Sequence, residues 1–353
     1  MGFFPFIRLL PSNLSIDFLG WRRITLALSV VLIAASVGLF VTRGLNLGID
    51  FRGGVELAAR FDSSVDLDAV RLAISEVSGG DATAQGFGAA TDVLVRAEAP
   101  SAGDDSAQAV AASELTNAIW AALDSLDGDG QVERLSNNFV GGAVSDELFQ
   151  AGMIAIALAL SAVAIYIWFR FEWQFALAAL AALSHDVITT IGLFALLQIE
   201  FNLYTTAAIL TIAGYSINDT VVVFDRAREE LRRYKETPII DVLNKALNGT
   251  LTRTVITSVT TLLAVGSLAI FGGPIIQGLA IALIWGVLIG TYSSIFFATP
   301  LLTLFNLRSD VFEKKAQSDA TDYAANFAAS LKDEEEEEIR NRARETSEPV
   351  DDK

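Results

Sequence analysis

Four ionisable side chains interrupt sequence that is otherwise apolar enough for a bilayer interior: His185, Asp186, Asp219 and Arg253. An ionisable group at membrane depth costs from about 2.5–3.5 kcal/mol upward, so it is rare without a role or a partner. His185 and Asp186 stand about ten residues into one apolar run, roughly 15 Å deep at 1.5 Å per residue and near the midplane. Asp219 lies five residues before Phe224, where the next run meets a charged loop, and Arg253 opens the run beyond that loop. The two therefore share a depth on neighbouring helices, and an Asp219–Arg253 pair is geometrically reasonable. Pairing favours the charged form of a carboxylate and desolvation favours the neutral form. A carboxylate held between those pulls can take up and release a proton as the helices around it move. Tyr215 stands one turn before Asp219, with Ser216 and Asn218 adjacent, and all of these could hydrogen-bond a file of water. The chemistry expected is ion translocation by Asp219, Arg253, Tyr215, Asn218, His185 and Asp186. Plainer readings stay open: a static ion pair pinning the helices, an Arg253 that snorkels to the interface, and a His185 that is a satisfied core histidine.

The elements that must position these groups are membrane helices. The chain has 353 residues, 52% of them hydrophobic, and a mean hydropathy of +0.45, which is too apolar for an ordinary soluble protein. Runs of about 20 apolar residues, enough to cross a core of ~30 Å, recur along it. Six are expected: Ile24–Thr42, Gly152–Phe169, Phe175–Gln198, Leu203–Phe224, Arg253–Phe271 and Ile276–Leu304. They are called spans 1 to 6. Span 1 follows a long N-terminal segment and has no convincing small-residue cleavage site, so it reads as an anchor rather than a cleaved signal. Arg8, Arg22 and Arg23 precede span 1, and the loop between spans 4 and 5 holds Arg226, Arg228, Arg232, Arg233, Lys235 and Lys245. The links between spans 3 and 4 and between spans 5 and 6 hold no Lys or Arg. The positive-inside rule then places both termini in the cytoplasm and residues 43–151 outside.

Composition excludes several functions. A formal charge of −17 argues against nucleic acid as a partner. With no cysteine there are no disulfides and no thiolate chemistry, and one histidine cannot build a zinc site of the usual kind. No GxSxG, P-loop or strand-to-helix GxGxxG is present, so an ATP-driven process would need another subunit to hydrolyse the ATP. The chain is read as no enzyme, with no cofactor or metal.

The expected organisation is a cytoplasmic N-terminus (1–23), span 1 (24–42), a periplasmic domain (43–151), spans 2–6 (152–307) and an acidic cytoplasmic tail (308–353) expected to be disordered. In the outer segment, residues 55–61 alternate like a strand and 66–78 have helical periodicity. Residues 83–88 and 92–98 read as strands, 106–126 as an amphipathic helix and 131–138 as a last strand. The order β-α-β-β-α-β is the ferredoxin-like pattern, so the fold class is a polytopic α-helical membrane protein with an α+β domain between its first two helices. Glycines mark both roots of that domain: Gly48, Gly53 and Gly54 after span 1, Gly141 and Gly142 before span 2. They are either tight turns or hinges on which the domain swings. Asp225 with the following RAREELRR reads as an interfacial anchor and a solvated amphipathic extension, with a partner-binding helix as the alternative.

These strings together carry a resemblance. "LGIDFRGG" after span 1, "SHDVITT" in span 3, "AGYSINDTVVVFDRAREELR" in span 4 and "TLTRTVITSVTTLLAVGSLAIFGG" in span 5 look like the signatures of the SecF family. That family forms the SecD–SecF protein-export complex within the resistance-nodulation-division superfamily. The resemblance covers roughly residues 12–307, and "SINDTVVVFDR" is its most specific string. It implies a bacterial inner-membrane protein that partners SecD and works with the SecYEG channel and SecA, with YajC and YidC as further partners. It also implies that a proton or sodium gradient helps to draw exported, unfolded polypeptide outward, with Asp219 and Arg253 at the ion-transport positions. In "FVGGAVSDEL" the chain departs from the family, which often has proline at the position of Gly142. Competing readings are half of a secondary transporter exporting a small molecule, an intramembrane aspartyl protease using Asp186 and Asp219, and a scaffold for another subunit. The protease reading is weak, because its local strings would be YD and GxGD rather than HD and ND.

Overall fold

A bilayer offers no water to backbone amides, so apolar runs of spanning length close their hydrogen bonds within helices. The computed structural model describes residues 15–79, 82–98, 105–127, 131–305, 307 and 321. The acidic tail falls almost wholly outside them, as does the start of the N-terminal segment. Among the described residues, six helices are long and apolar enough to cross a membrane. Span 1 is α1 (Arg22–Arg43), which follows a 3-10 turn at Leu19–Trp21. A two-residue strand β1 (Asn46–Leu47) and one turn of helix α2 (Ile49–Arg52) lead into the outer unit. That unit runs β2 (Gly54–Arg60), α3 (Leu67–Ser78), β3 (Ala82–Phe87), β4 (Ala89–Ala97), α4 (Asp105–Leu126) and β5 (Glu133–Val140). Span 2 is α5 (Gly142–Arg170), span 3 is α6 (Trp173–Leu197), and a second short strand β6 (Glu200–Phe201) precedes span 4, α7 (Leu203–Arg233). Span 5 is α8 (Ile239–Phe271). Span 6 is α9 (Gly273–Ser293), continued by a π-helical turn at Ser294–Ala298 and by α10 (Thr299–Leu302).

Three helices extend beyond the apolar runs. α5 starts at Gly142, ten residues before the run, and α7 continues through the charged string to Arg233. α8 begins at Ile239, well ahead of Arg253. Hydropathy marks the lipid-crossing part of a helix, and polar helix formers carry the backbone pattern onward into water. The charged extension of α7 is more than a solvated face. Arg228 forms a salt bridge with buried Glu172 at 2.7 Å, Arg170 bonds Asp225 at 2.8 Å, and Ala227 and Leu231 are buried in the core shared with α8. The chain before span 1 is held to the same end: Asn244 and Asn248 of α8 accept from the Leu19 and Ile16 amides at 3.1 and 2.9 Å.

The outer unit has its strands in the order β3-β4-β2-β5, every neighbour antiparallel. Alternation sorts its faces. Val55, Leu57, Ala59, Val93 and Val95 point into a core with Val70 and Ile74 of α3 and Ile119, Trp120 and Leu123 of α4. The opposite face carries charged cross-strand pairs: Arg96 meets Glu56 at 2.7 Å and Arg60 meets Asp92 at 2.8 Å. The Arg60 hydrogen bonds hold the Asp92 carboxyl below the usual carboxylate range.

Spans 3, 4 and 6 form the centre of the helical part, and spans 1, 2 and 5 lean on them from outside. Small residues set the closest approaches. A Cβ on Gly192 would collide with Ser36 of span 1, and Cβ atoms on Gly286 and Gly290 would meet Ile212 and Ser216 of span 4. Such contacts between helices replace the hydrophobic drive that is missing in lipid.

Candidate functional site

Because Gly286 and Gly290 let spans 4 and 6 touch, the polar side chains on those faces are pressed together out of water. Span 4 contributes Tyr215, Ser216, Asp219 and Thr220, spaced by three and four residues as one helical stripe requires. Span 6 contributes Thr291, Ser293 and Ser294, and span 5 adds Thr254 and Ser258.

Asp219 is buried. Its Oδ1 accepts from Thr254 Oγ1 at 2.7 Å, while Oδ2 has no hydrogen-bond partner among the described residues. Thr220 and Ser294 bond to each other at 2.9 Å beside it. Arg253 precedes Thr254 and acts on the carboxylate electrostatically, but it is exposed and the two make no salt bridge. The hairpin brings the pair near, and the helical phase gives the contact to Thr254 instead.

His185 and Asp186 are fully buried in span 3. His185 Nδ1 lies 2.8 Å from Asp186 Oδ1. Asp186 Oδ2 accepts from Ser293 Oγ at 2.7 Å and from Ser216 Oγ. The His185 ring stacks on Phe297 with centroids 4.8 Å apart, and its Nε2 has no partner among the described residues. With Nδ1–H donated to the carboxylate, Nε2 is left as a bare acceptor in an apolar pocket. Two carboxylates on different spans thus reach adjacent serines of span 6: Asp186 bonds Ser293, and Asp219 lies beside Ser294. The π-turn starts at that Ser294, where Thr299 Oγ1 reaches the Ser294 carbonyl at 2.9 Å. Single π-turns are frequent at functional positions in helices.

Tyr215 extends the seam, its hydroxyl 3.5 Å from Ser258 Oγ, which in turn bonds Thr291 at 2.7 Å. Asn218 does not join. It is exposed on the far side of span 4, one residue being 100° out of phase with the stripe. Sequence reading missed Thr254, Ser258, Thr291, Ser293 and Ser294. The only signal was a clustering of hydroxyls in apolar runs, and a hydroxyl can also bond its own helix.

The glycines at the roots are packed. Gly53 and Gly54 have φ of 75° and 123°, and a Cβ on Gly54 would strike the Ala97 carbonyl oxygen. Gly48 lies against the Glu200 side chain, and Gly142 sits beside Gln108 of α4. Gly141 is the roomiest, with nothing nearer to its Cβ position than 3.4 Å. A seat missed by sequence reading joins the outer unit to the loop between spans 3 and 4. β1 pairs with β6 in parallel, the Gly48 amide donates to Phe201 O at 3.0 Å, and Asp50 accepts from the Leu203 amide at 3.1 Å. Arg96 forms salt bridges with both Glu56 and Glu200 there. Burial pushes the Glu200 carboxyl above its usual range; Arg96 opposes this, and Glu56 and Asp50 add to it. Among the described residues, no three His, Cys, Asp or Glu side chains cluster to hold a metal.

Residues 121–308 match the family model for "Protein export membrane protein SecD/SecF, C-terminal", and residues 38–65 match the "SecD/SecF GG Motif". The chain is 45% identical over 298 residues to protein translocase subunit SecF of Cereibacter sphaeroides, covering 83% of this chain and 90% of that one. It is 45% identical over 290 residues to the SecF subunit of Magnetococcus marinus, covering 82% and 92%. Among solved structures it resembles SecDF, a translocon-associated membrane protein from Thermus thermophilus, with a TM-score of 0.72 and 32% identity over 84% of this chain. SecDF in a super-membrane-facing form matches with a TM-score of 0.59 and 31% identity. The chain spans 39–40% of the length of those two SecDF chains.

Proposed function

The chain belongs to the SecF family of protein-export membrane proteins, and on that premise we propose that it turns ion movement past Asp219 into work on exported polypeptide. The observation that carries the proposal is the bare Oδ2 of a buried carboxylate, in a seam of hydroxyls shared by spans 4, 5 and 6. That oxygen is free to take a proton, or to join Thr254 and its neighbours around a sodium ion, when the seam opens. Arg253 supplies a positive charge within electrostatic reach, and Asp186, tied to His185 and Ser216, anchors the seam through Ser293. Each elementary charge crossing 100 mV releases about 2.3 kcal/mol, enough to bias an outer unit between two orientations of similar energy.

The outer unit is a ferredoxin-like domain on the periplasmic side of a bacterial inner membrane, with both termini cytoplasmic and the root glycines as its hinges. SecD completes the assembly, which serves the SecYEG channel and SecA, with YajC and YidC as further associates and unfolded polypeptide as cargo. The chain catalyses no covalent reaction. The test is Asp219→Asn, which keeps shape and hydrogen bonding but removes the titratable charge. Membrane assembly should persist and gradient-dependent translocation of a secreted substrate should be lost. The double change with Arg253→Gln should not recover it, whereas a static ion pair would recover, because the unpaired charge is gone. Gradient-dependent export surviving in Asp219→Asn ends the proposal.

A further inference from the structure

Spans 1 and 2 are neighbours in the chain's order of membrane helices, yet span 1 packs on span 3 and the π-turn of span 6, and span 2 on spans 3 and 4, rather than closely on each other. Between them they leave a groove of about 490 Å³. Val37 and Phe40 form one wall, Phe149 and Met153 the other, and Ile188 and Ile191 of span 3 the floor. The four wall residues are exposed at 39–47% although all are large and apolar. The groove lies under the root of the outer unit. Ile191 is six residues from the end of α6, about 9 Å along its axis, which sets the groove in the leaflet on that side.

Its mouth is charged. Arg43 ends α1 on the same stripe as Ser36 and Phe40, and its guanidinium donates to the Leu196 carbonyl at 3.3 Å over the end of span 3. The arginines of β2, α3, β4 and β5 each have an acidic partner: Arg60 with Asp92, Arg71 with Asp68, Arg96 with Glu56, Arg134 with Asp124. Arg43, over the groove, and Arg52 of α2 are exposed and have none among the described residues. On a chain with an excess of acids, a cation without a carboxylate at headgroup level, above an apolar groove, fits a partner that is anionic at one end and hydrocarbon at the other.

We propose that this groove binds a phospholipid of the leaflet facing the outer unit, one acyl chain lying between spans 1 and 2 and the phosphate on Arg43. Charge separates this occupant from a partner's apolar membrane helix: a phosphate ester supplies the anion that Arg43 lacks at the mouth of the apolar groove. Left unfilled, the walls would forfeit their dispersion contacts. The bound chain fastens span 1 to span 2 directly below the segment that seats the outer unit.

The test places a photoreactive residue at Met153 in the full chain, irradiates native membranes and weighs the adducts. A phospholipid adduct is expected. A polypeptide adduct, or none, overturns the proposal. The chain purified in mild detergent is then examined by native mass spectrometry, with Ile191→Trp filling the groove and Arg43→Gln removing the charge. The unaltered chain should retain one phospholipid, and each variant should retain at least fivefold less. Arg43→Gln leaves every packed surface intact, so the result does not depend on Ile191→Trp folding. Equal retention in Arg43→Gln and the unaltered chain overturns the assignment of the phosphate to Arg43.

Discussion

Asp219 and Asp186 differ in how completely their oxygens are satisfied, and that difference divides their roles. Asp186 receives a bond at one oxygen and two at the other, which is the pattern of a group held in place. Ser293→Ala removes one donor from a fully buried carboxylate, so about 1–3 kcal/mol of stability should be lost in thermal unfolding of the detergent-purified chain. An unchanged melt would mean that Ser293 bonds its own helix instead, through the Gly290 carbonyl at 3.1 Å. Asp219 keeps one oxygen bare among the described residues and takes its one direct bond from Thr254, with Ser294 alongside. Thr254→Val conserves shape and strips that donor, so gradient-dependent export should fall steeply while Thr254→Ser retains most of it. Full export in Thr254→Val would reduce Thr254 to packing. Sequence alone located both carboxylates, because a charge in an apolar run is conspicuous. Of the hydroxyls that hold them it named only Ser216; it could not find Ser293 or Thr254, nor tell that Asn218 points away, because these depend on which face of span 4 meets its neighbours.

At the scale of elements, strands and amphipathic helices were legible because periods of two and 3.6 are written into side-chain order. Each of the strands and helices expected between residues 55 and 138 has a counterpart in the structure within a few residues. The short pairing of β1 with β6 was not legible. Two residues carry no period, and their partner is about 150 positions away. The same pairing decides how the roots behave. Substituting Gly54 would break local packing whether or not it is a hinge. Gly141 is the discriminating position, since its extended φ of −69° and open surroundings accept alanine. If Gly141 is a hinge, Gly141→Ala should slow export with folding unimpaired or slightly improved, by about 0.4–1 kcal/mol. Unchanged export removes Gly141 from the hinge.

The seat itself should respond to pH in a direction opposite to that of a simple salt bridge. Glu200 has its carboxyl raised by burial, so the seated form binds a proton more tightly than a released form with an ordinary glutamate near 4.5. Its contribution is therefore fully present below about 4.5 and lost as pH rises through the raised value. Hydrogen exchange at the Gly48 amide, corrected for intrinsic rate, should show protection increasing on acidification. Glu200→Gln should flatten that dependence. Protection that falls on acidification would show the Arg96 bridge, not burial, to dominate. Asp92 works the other way: its depressed carboxyl gives stability that disappears as pH falls below the ordinary aspartate value.

Taken whole, the molecule has two ends of contrasting charge, and the contrast fixes an expected topology. The end away from the outer unit carries Arg22, Arg23, Arg226, Arg228, Arg232, Arg233 and Lys245. The bonds from Ile16 and Leu19 to Asn248 and Asn244 bind the start of span 1 to that end, so the N-terminal segment and the loop between spans 4 and 5 share a side. Six crossings would return the chain beyond span 6 to the same side. Lys and Arg near helix ends resist translocation, so that side is expected to be cytoplasmic and the acidic outer unit to have crossed. A cysteine-free chain makes this directly measurable, because any introduced thiol is the only one present. Ser64 and Thr237 are both exposed, the first in the outer unit and the second between α7 and α8. In intact cells or right-side-out vesicles, Ser64→Cys should react with a membrane-impermeant maleimide and Thr237→Cys only after permeabilisation. The reverse pattern would invert the molecule. It would then put Asp219 in the half of the bilayer nearer the outside, so that a proton entering from there would reach the carboxylate after a short path instead of crossing most of the field.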